Sequence, residues 1–319
     1  MRALITGING FVGGHLAEYL LSLGNWQLWG LSRSGRISLS QLSADVRLVT
    51  ADLNDAEQTL AALDAAQPEV LFHLAGQPFV PESFRDPADT LHINVFGMLH
   101  LIQAVLRLGI RPRILVIGTN EEYGLVAPEQ QPINETMPLQ PANPYGVSKA
   151  AQGLLALQYW RSHKLDMIVM RPFTHIGPRQ SARFVTAAWA SQIARIEAGR
   201  QPPVLRVGNL QVQRDFTDVR DIVRAYVLAA RKGQSGTIYN VGSGRTVALQ
   251  DILEFFLGQS TTPIDIQVDP ALLRPIDVPL VLCNAGQLRD HTGWQPQIAL
   301  EQTLGDILHD WRSRERNLH

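Results

Sequence analysis

Sulfur, surplus charge and long apolar runs are all scarce in this chain, and each scarcity removes a class of answer. Cys283 is the only cysteine, so neither an intramolecular disulfide nor a thiolate zinc cluster can form, which suits a reducing compartment. The formal net charge is -1 over 319 residues. Nothing therefore pulls the protein broadly toward nucleic acid or anionic membrane, and any bound anion must be gripped by particular arginines. No stretch of about 18 uninterrupted apolar residues is present to span a bilayer. The nine histidines show no H-E-x-x-H or similar ligand spacing, so no structural metal is expected. The first strand-like run starts within two residues of Met1, which leaves no room for a secretory leader ahead of it, and a cytoplasmic location is the expectation. Internal repeats and low-complexity tracts are missing as well.

With 45% hydrophobic and 18% charged residues, the chain can bury a large core and is long enough for two closely joined domains. An apolar strand, Ala3 to Ile5, runs into Thr6-Gly7-Ile8-Asn9-Gly10-Phe11-Val12-Gly13 and then into a helical pattern that Gly24 ends. Gly7 suits the tight strand-to-helix turn, Gly10 removes a Cβ that would hold backbone N–H groups away from phosphates, and Gly13 allows close helix packing. The opening helix points its positive end at the same place, so a dinucleotide pyrophosphate is expected there.

Short apolar runs (Trp26–Leu31, Val46–Val49, Val70–Leu74, Ile114–Ile117, Met167–Met170) then alternate with helical segments near Asp55–Ala66, Asp89–Leu108 and Tyr145–His163. This alternation predicts an α/β fold, a doubly wound parallel sheet of the Rossmann type. Past Arg171, proline and glycine punctuate the pattern around helices such as Phe184–Ala198, and the run 237–241 is placed to rejoin the sheet. The predicted division is 1–172 with 213–243 for the dinucleotide, and 173–212 with 244–319 for a smaller substrate domain.

The second strand ends in Leu31-Ser32-Arg33, without the carboxylate that usually holds a free adenosine 2′-hydroxyl. A guanidinium there favours the 2′-phosphate of NADP, with NAD the alternative. Asp52-Leu53 follows the third strand and suits either an adenine contact or a helix N-cap. Tyr145 and Lys149 lie four apart just inside a helix that Pro144 could start, so both point from one face. An ammonium beside a phenol lowers its pKa toward the range where it exchanges protons with a substrate oxygen. Thr119, at the carboxyl edge after Ile114–Ile117, is placed to bond the same oxygen.

Taken together, Thr6-Gly7-x-x-Gly10-x-x-Gly13, His73-Leu74-Ala75-Gly76, Asn94, Thr119, Tyr145/Lys149 and Arg171-Pro172-Phe173 resemble the extended short-chain dehydrogenase/reductases over essentially the whole chain. Further stretches, among them Gln77-Pro78-Phe79-Val80-Pro81-Glu82, His175-Ile176-Gly177-Pro178 and Arg214-Asp215-Phe216-Thr217-Asp218-Val219, are similar to the sugar-nucleotide branch acting on GDP-linked deoxyhexoses. The resemblance implies reduction of a C4 ketone with NAD(P)H. Phe11, Val12, Leu74, Ala75 and Gly76 would join the cofactor contacts, and Lys149 would also bind the nicotinamide ribose. Arg214 and Arg274 would clamp the diphosphate, Asp277 would meet the nucleotide ribose, and Gln77, Glu121, Thr174 and Arg179 would face the substrate. Thr174 stands where relatives commonly carry asparagine. Glu121 sits where the dehydratases of the branch place a catalytic glutamate, and with Glu122 beside it mutual repulsion could raise one pKa, so 4,6-dehydration is the alternative chemistry. A non-catalytic dinucleotide-binding protein is the third. The resemblance also implies a homodimer through the helix carrying Tyr145 and its predecessor, with Leu99, Leu101, Ile102, Val105, Leu154, Leu155 and Leu157 available for that face.

Overall fold

The computed structural model describes residues 1–38, 42, 44–273 and 278–317. Its first half alternates β1 (Arg2–Thr6), α1 (Phe11–Ser22), β2 (Gln27–Ser32), β3 (Val46–Thr50), α2 (Ala56–Ala66), β4 (Val70–His73), α3 (Val80–Arg85), α4 (Pro87–Leu91), α5 (Gly97–Leu108), β5 (Arg113–Ile117), α6 (Pro144–His163) and β6 (Met167–Pro172). Then follow β7 (His175–Ile176), α7 (Val185–Glu197), β8 (Val204–Val207), β9 (Gln213–Asp215), β10 (Thr217–Asp218), α8 (Val219–Lys232) and β11 (Ile238–Val241). The chain continues with β12 (Thr246–Ala248), α9 (Leu249–Gly258), β13 (Asp265–Val268), β14 (Leu280–Val281), α10 (Gly286–Thr292) and α11 (Leu300–Arg316).

Seven strands form one parallel sheet in the order β11-β6-β5-β4-β1-β2-β3, and β11 joins it as predicted. All four residues of β4 and all six of β6 are buried, because helices cover both faces and leave no alternating solvent side. One face packs α1 and α8 against Ile5, Phe72, Met170 and Tyr239, and the other packs α2, α5 and α6 against Leu4, Leu71, Val116 and Val169. The strand order reverses direction between β1 and β4, which opens a crevice at their carboxyl ends.

The single helix expected over 89–108 is two helices joined by a π turn, His92–Phe96. Periodicity cannot register such a turn, since the wider winding interrupts the helix for only five residues. The combined stretch Pro87–Leu108 has the length and apolar character of a membrane span, yet Met98, Leu101, Ile102, Ala104 and Val105 are spent on the sheet's core. The dimer face predicted from these helices loses Leu101, Ile102 and Val105 to the same core.

A third core gathers α7, α9 and α11 around Trp189, Leu205, Phe216, Phe256 and Ile307, and forms the smaller part. Its seam departs from the predicted one. β9 pairs with β12 and β14 rather than with the main sheet, so the segment from 213 starts in the smaller part. Conversely Leu288 and Trp294 pack in the main core, with α10 against α8 and β11, although both follow residue 244.

Candidate active site

Gly7 leaves β1 with φ +72°, and a Cβ there would stand 2.9 Å from the Ala75 nitrogen at the exit of β4. At Gly13 a Cβ would fall 2.2 Å from the Gly7 carbonyl oxygen, so this glycine admits the turn itself rather than the sheet. Gly10 caps α1 without a side-chain acceptor, and no acidic residue occupies the first turn. Backbone N–H groups there are claimed by no capping side chain, and a Cβ at Gly10 would meet the Gly7 oxygen at 3.0 Å. A small cradle with a helix N-terminus behind it suits a dinucleotide's pyrophosphate in charge and space.

Asn9 holds this turn to the loop after β2. Its amide nitrogen donates to Ser32 Oγ at 2.9 Å and to the Arg36 carbonyl at 2.7 Å, while its oxygen accepts the Ser38 N–H. Arg33 and Arg36 are exposed on that loop. Asp52 is not the N-cap of α2: Asp55 is, accepting from Glu57 and Gln58, while Asp52 accepts the Asn54 N–H in a local turn. Leu53 is buried with its carbonyl on His100. Leu74 and Ala75 line the exit of β4, where the Ala75 N–H donates to Thr6 Oγ1. Phe11 stacks on His175, and half-buried Val12 packs against the main core.

The residues expected to react converge at the ends of β4 and β5. Asn143 caps α6 by accepting the Gly146 N–H and donates its amide to Glu121 Oε2 at 2.8 Å, and Pro144 opens the helix as expected. Half-buried Tyr145 brings its hydroxyl to the Thr119 side chain, which favours the phenolate. The predicted depression of the Tyr145 pKa by Lys149 does not occur in the protein alone. Burial pushes the phenol up first, and Glu121 and Glu122 add to that. Lys149 instead donates to the Ile117 carbonyl at 2.7 Å and to Gln152 Oε1 at 2.9 Å. Burial lowers the ammonium to about 8, with Glu122 opposing. Gly76 is required beside it, because a Cβ there would lie 2.8 Å from Asn94 Oδ1 and 3.6 Å from Lys149 Nζ.

Glu122 was expected to pair with Glu121, and it does not. It is fully buried beneath Thr119, accepting the Thr119 N–H at 2.9 Å and the Arg171 Nε–H at 2.7 Å. Its pKa is raised by burial rather than by a neighbouring carboxylate, and Arg171 draws it back. Arg171 also donates to the Tyr123 hydroxyl, which donates to Asn240 Oδ1. Sequence reasoning missed this ladder. Beyond the Arg-Pro-Phe tripeptide its only signal was Gly118, where a Cβ would lie 2.1 Å from Glu122 Oε1.

Two residues expected to face substrate are engaged elsewhere. Gln77 folds its amide onto its own loop, accepting from the Phe79 N–H and donating to the Phe79 carbonyl and Thr90 Oγ1. Arg179, at φ +72°, forks onto both carboxylate oxygens of Glu18 on α1 and donates to His15 Nδ1. It ties the loop after β7 to α1. Thr174 joins β7 to β10 through its carbonyl, which accepts the Thr217 N–H. Arg214 is half-buried on β9, whose last residue, Asp215, accepts from Ser243 and Gly244 in the loop after β11 and from Cys283 just past β14, and so ties both segments to β9. Arg274 and Asp277 lie outside the described residues.

A helix that sets a tyrosine against a strand-end threonine, across a parallel sheet opened by such a glycine turn, places the molecule among the extended short-chain dehydrogenase/reductases. Within that class the chain belongs to the GDP-mannose 4,6 dehydratase family, whose family model matches residues 4–307. It is 39% identical over 316 residues to the GDP-6-deoxy-D-mannose reductase of Pseudomonas aeruginosa, across 99% of this chain and 98% of that protein. The UDP-glucose 4-epimerase of Mycolicibacterium smegmatis is 30% identical over 321 residues, covering 99% of this chain and all (100%) of its own. Among solved structures, RMD from Pseudomonas aeruginosa complexed with NADPH superposes with a TM-score of 0.87 at 38% identity, covering 98% of this chain and 99% of that one.

Proposed function

We propose that the protein is a cytoplasmic reductase of a GDP-linked 6-deoxy-4-keto-hexose, forming GDP-D-rhamnose from GDP-6-deoxy-4-keto-D-mannose with NADPH. The single observation that carries this reading is the contact between the Tyr145 phenol and the Thr119 side chain at the carboxyl edge of the sheet. The likeness to the Pseudomonas aeruginosa reductase supplies the substrate class.

Gly7, Gly10, Phe11, Val12 and Gly13 would hold the dinucleotide's pyrophosphate end, with Arg33 at its 2′-phosphate and Leu74, Ala75 and Gly76 alongside. When bound, NADPH supplies a hydride for the ketone carbon. Tyr145 donates the proton that the ketone oxygen gains, and Thr119 hydrogen-bonds that oxygen and fixes its position. Lys149, charged below about pH 8, would bind the nicotinamide ribose beside Tyr145. The smaller part would hold GDP through Arg214, Arg274 and Asp277, with Thr174 at the sugar. The deciding assay mixes the purified protein, the 4-keto sugar nucleotide and NADPH. Loss of NADPH absorbance with GDP-rhamnose as product is expected, and no turnover would remove the reading.

Glu121 gives a second reading some footing, since it lies close enough to Tyr145 for its charge to raise that phenol. A carboxylate there could take the C5 proton in a 4,6-dehydration. GDP-mannose incubated without reductant separates the two, because only a dehydratase yields a 4-keto product with no net use of NADPH.

The protein is further proposed to dimerise through the outer faces of α5 and α6. Phe96, Val147 and Leu154 remain 47%, 44% and 61% exposed there, and Leu99 is only half-buried. Light scattering that reads a single chain's mass would reject the dimer.

A further inference from the structure

An ammonium has three N–H donors, and in Lys149 two are committed, to the Ile117 carbonyl and to Gln152 Oε1. Gln152 is fully buried on α6, one turn beyond Lys149, and its amide nitrogen donates to the main-chain carbonyl of Asn94 at 3.1 Å. Asn94 is the central residue of the π turn, a winding that leaves carbonyls outside the usual helical pattern. Its side chain meanwhile grips the Gln77 residue at both ends, accepting the N–H at 2.8 Å and donating to the carbonyl at 3.2 Å, and donates to Ser148 Oγ. One neutral amide thus spans the gap between the π turn and the ammonium.

We propose that Gln152 is a positioning residue that anchors the Lys149 ammonium to the π turn at Asn94 and leaves its third N–H to serve the reacting side, where Gly76 and Tyr145 lie. The proposal rests on the part given to Lys149 in the reaction above. An amide can do this without competing for charge: its oxygen accepts from the ammonium while its nitrogen is held by a carbonyl, so it cannot swing away.

The other groups facing Lys149 do not duplicate the function. Glu122, on the turn after β5, attracts the ammonium but is spent on Arg171 of β6 and on the Thr119 N–H. His73 on β4 is held neutral by burial, its pKa lowered to about 3, and Tyr145 on α6 is uncharged until it reacts. On α3 and α4 the charged groups are taken up locally: Glu82 pairs with Arg85, and Asp86 accepts the Asp89 N–H. In the π turn His92 stacks on Phe96 at the exposed outer face.

The chain contains only three lysines, and Lys164 and Lys232 are both exposed, so carbon-13 labelling of lysine gives three signals that follow ionisation in the cofactor-free protein. Lys149 is expected to titrate near 8 in the parent. In Gln152→Met, which keeps the bulk and removes the acceptor, the midpoint should fall by about one unit, a tenfold change in ionisation. In Gln152→Glu it should rise, because a carboxylate replaces the amide oxygen. The basic limb of kcat/KM should move with the midpoint in each variant, with circular dichroism confirming the native fold. Opposite shifts are something a merely structural role would not produce. Unchanged midpoints in whichever variants fold would overturn the proposal, as would a parent midpoint at lysine's ordinary value. Lys149→Met keeps the two claims apart: full activity there would sink the part given to Lys149 in catalysis, while the titration alone judges the hold of Gln152.

Discussion

The floor of the candidate site and its rim are built on opposite terms. On the floor, Glu122, Arg171, Lys149, Gln152 and Asn94 are almost wholly removed from water, and each is answered by a named partner within the protein. On the rim, Arg33 and Arg36 stand in solvent, and Gln77 closes on its own loop. A buried charge costs several kcal/mol unless paired, so the floor must be complete before any ligand arrives. The rim has no such obligation and can leave its groups to meet the ligand. Chemistry should therefore fail with the floor, and selectivity with the rim.

The hardest test of that division is the buried ion pair. Removing the charge in Glu122→Gln leaves the Arg171 guanidinium uncompensated in the core and weakens the hold on the Thr119 N–H. Breaking such a pair costs about 3–5 kcal/mol, so urea unfolding should shift by that much, with activity lost at temperatures the parent tolerates. A variant as stable as the parent would mean that the floor is not self-contained. Next in size is Tyr145→Phe. Loss of the proton donor should lower kcat about 10²–10⁴-fold with little change in the unfolding midpoint, because the phenol contributes chemistry rather than packing.

A third test uses pH, where floor and fold pull in opposite directions. Burial lowers Lys149 to about 8, whereas the unfolded chain keeps lysine near 10.5. Between those values the unfolded state binds more protons, so the contribution of Lys149 to stability rises with pH across that window. Over the same window the ammonium disappears from the site, and the reductase rate should fall. Calorimetry and rate profiles taken on one sample should therefore diverge above about pH 8, each within its own measurement. A rate that holds steady to pH 10 would show that the ammonium is not needed.

This contrast also explains which parts could be read from the chain. The sheet was legible because strands buried on both faces must be continuously apolar, and Tyr145 with Lys149 was legible because helical spacing alone puts them on one face. What Lys149 bonds to was not, since its anchor runs through Gln152 to a carbonyl 58 residues away, exposed by a turn that breaks periodicity. Charge was equally mute about destination. Arg179 was expected to face the substrate on its charge, yet it is taken by Glu18 on α1, a partner 161 residues distant in sequence. The glycines told the position of the turn but not its reason: Gly13 makes room for the Gly7 carbonyl, a contact within the turn.

The smallest expected effect belongs to the rim and tests its independence most directly. Arg33 is exposed and Asn9 holds its loop against the glycine turn, so Arg33→Ala should leave stability and kcat close to the parent. A single guanidinium fork on an exposed phosphate is worth about 1.4 kcal/mol, or tenfold in affinity. KM for NADPH should rise by about that factor while KM for NADH stays put, since only the former carries the 2′-phosphate. Arg36 sits on the same loop and can take part of the load, so the double variant should lose more than the single one. Equal losses for both cofactors would place Arg33 away from the 2′-position, and a fall in kcat would mean that the rim reaches into the floor after all.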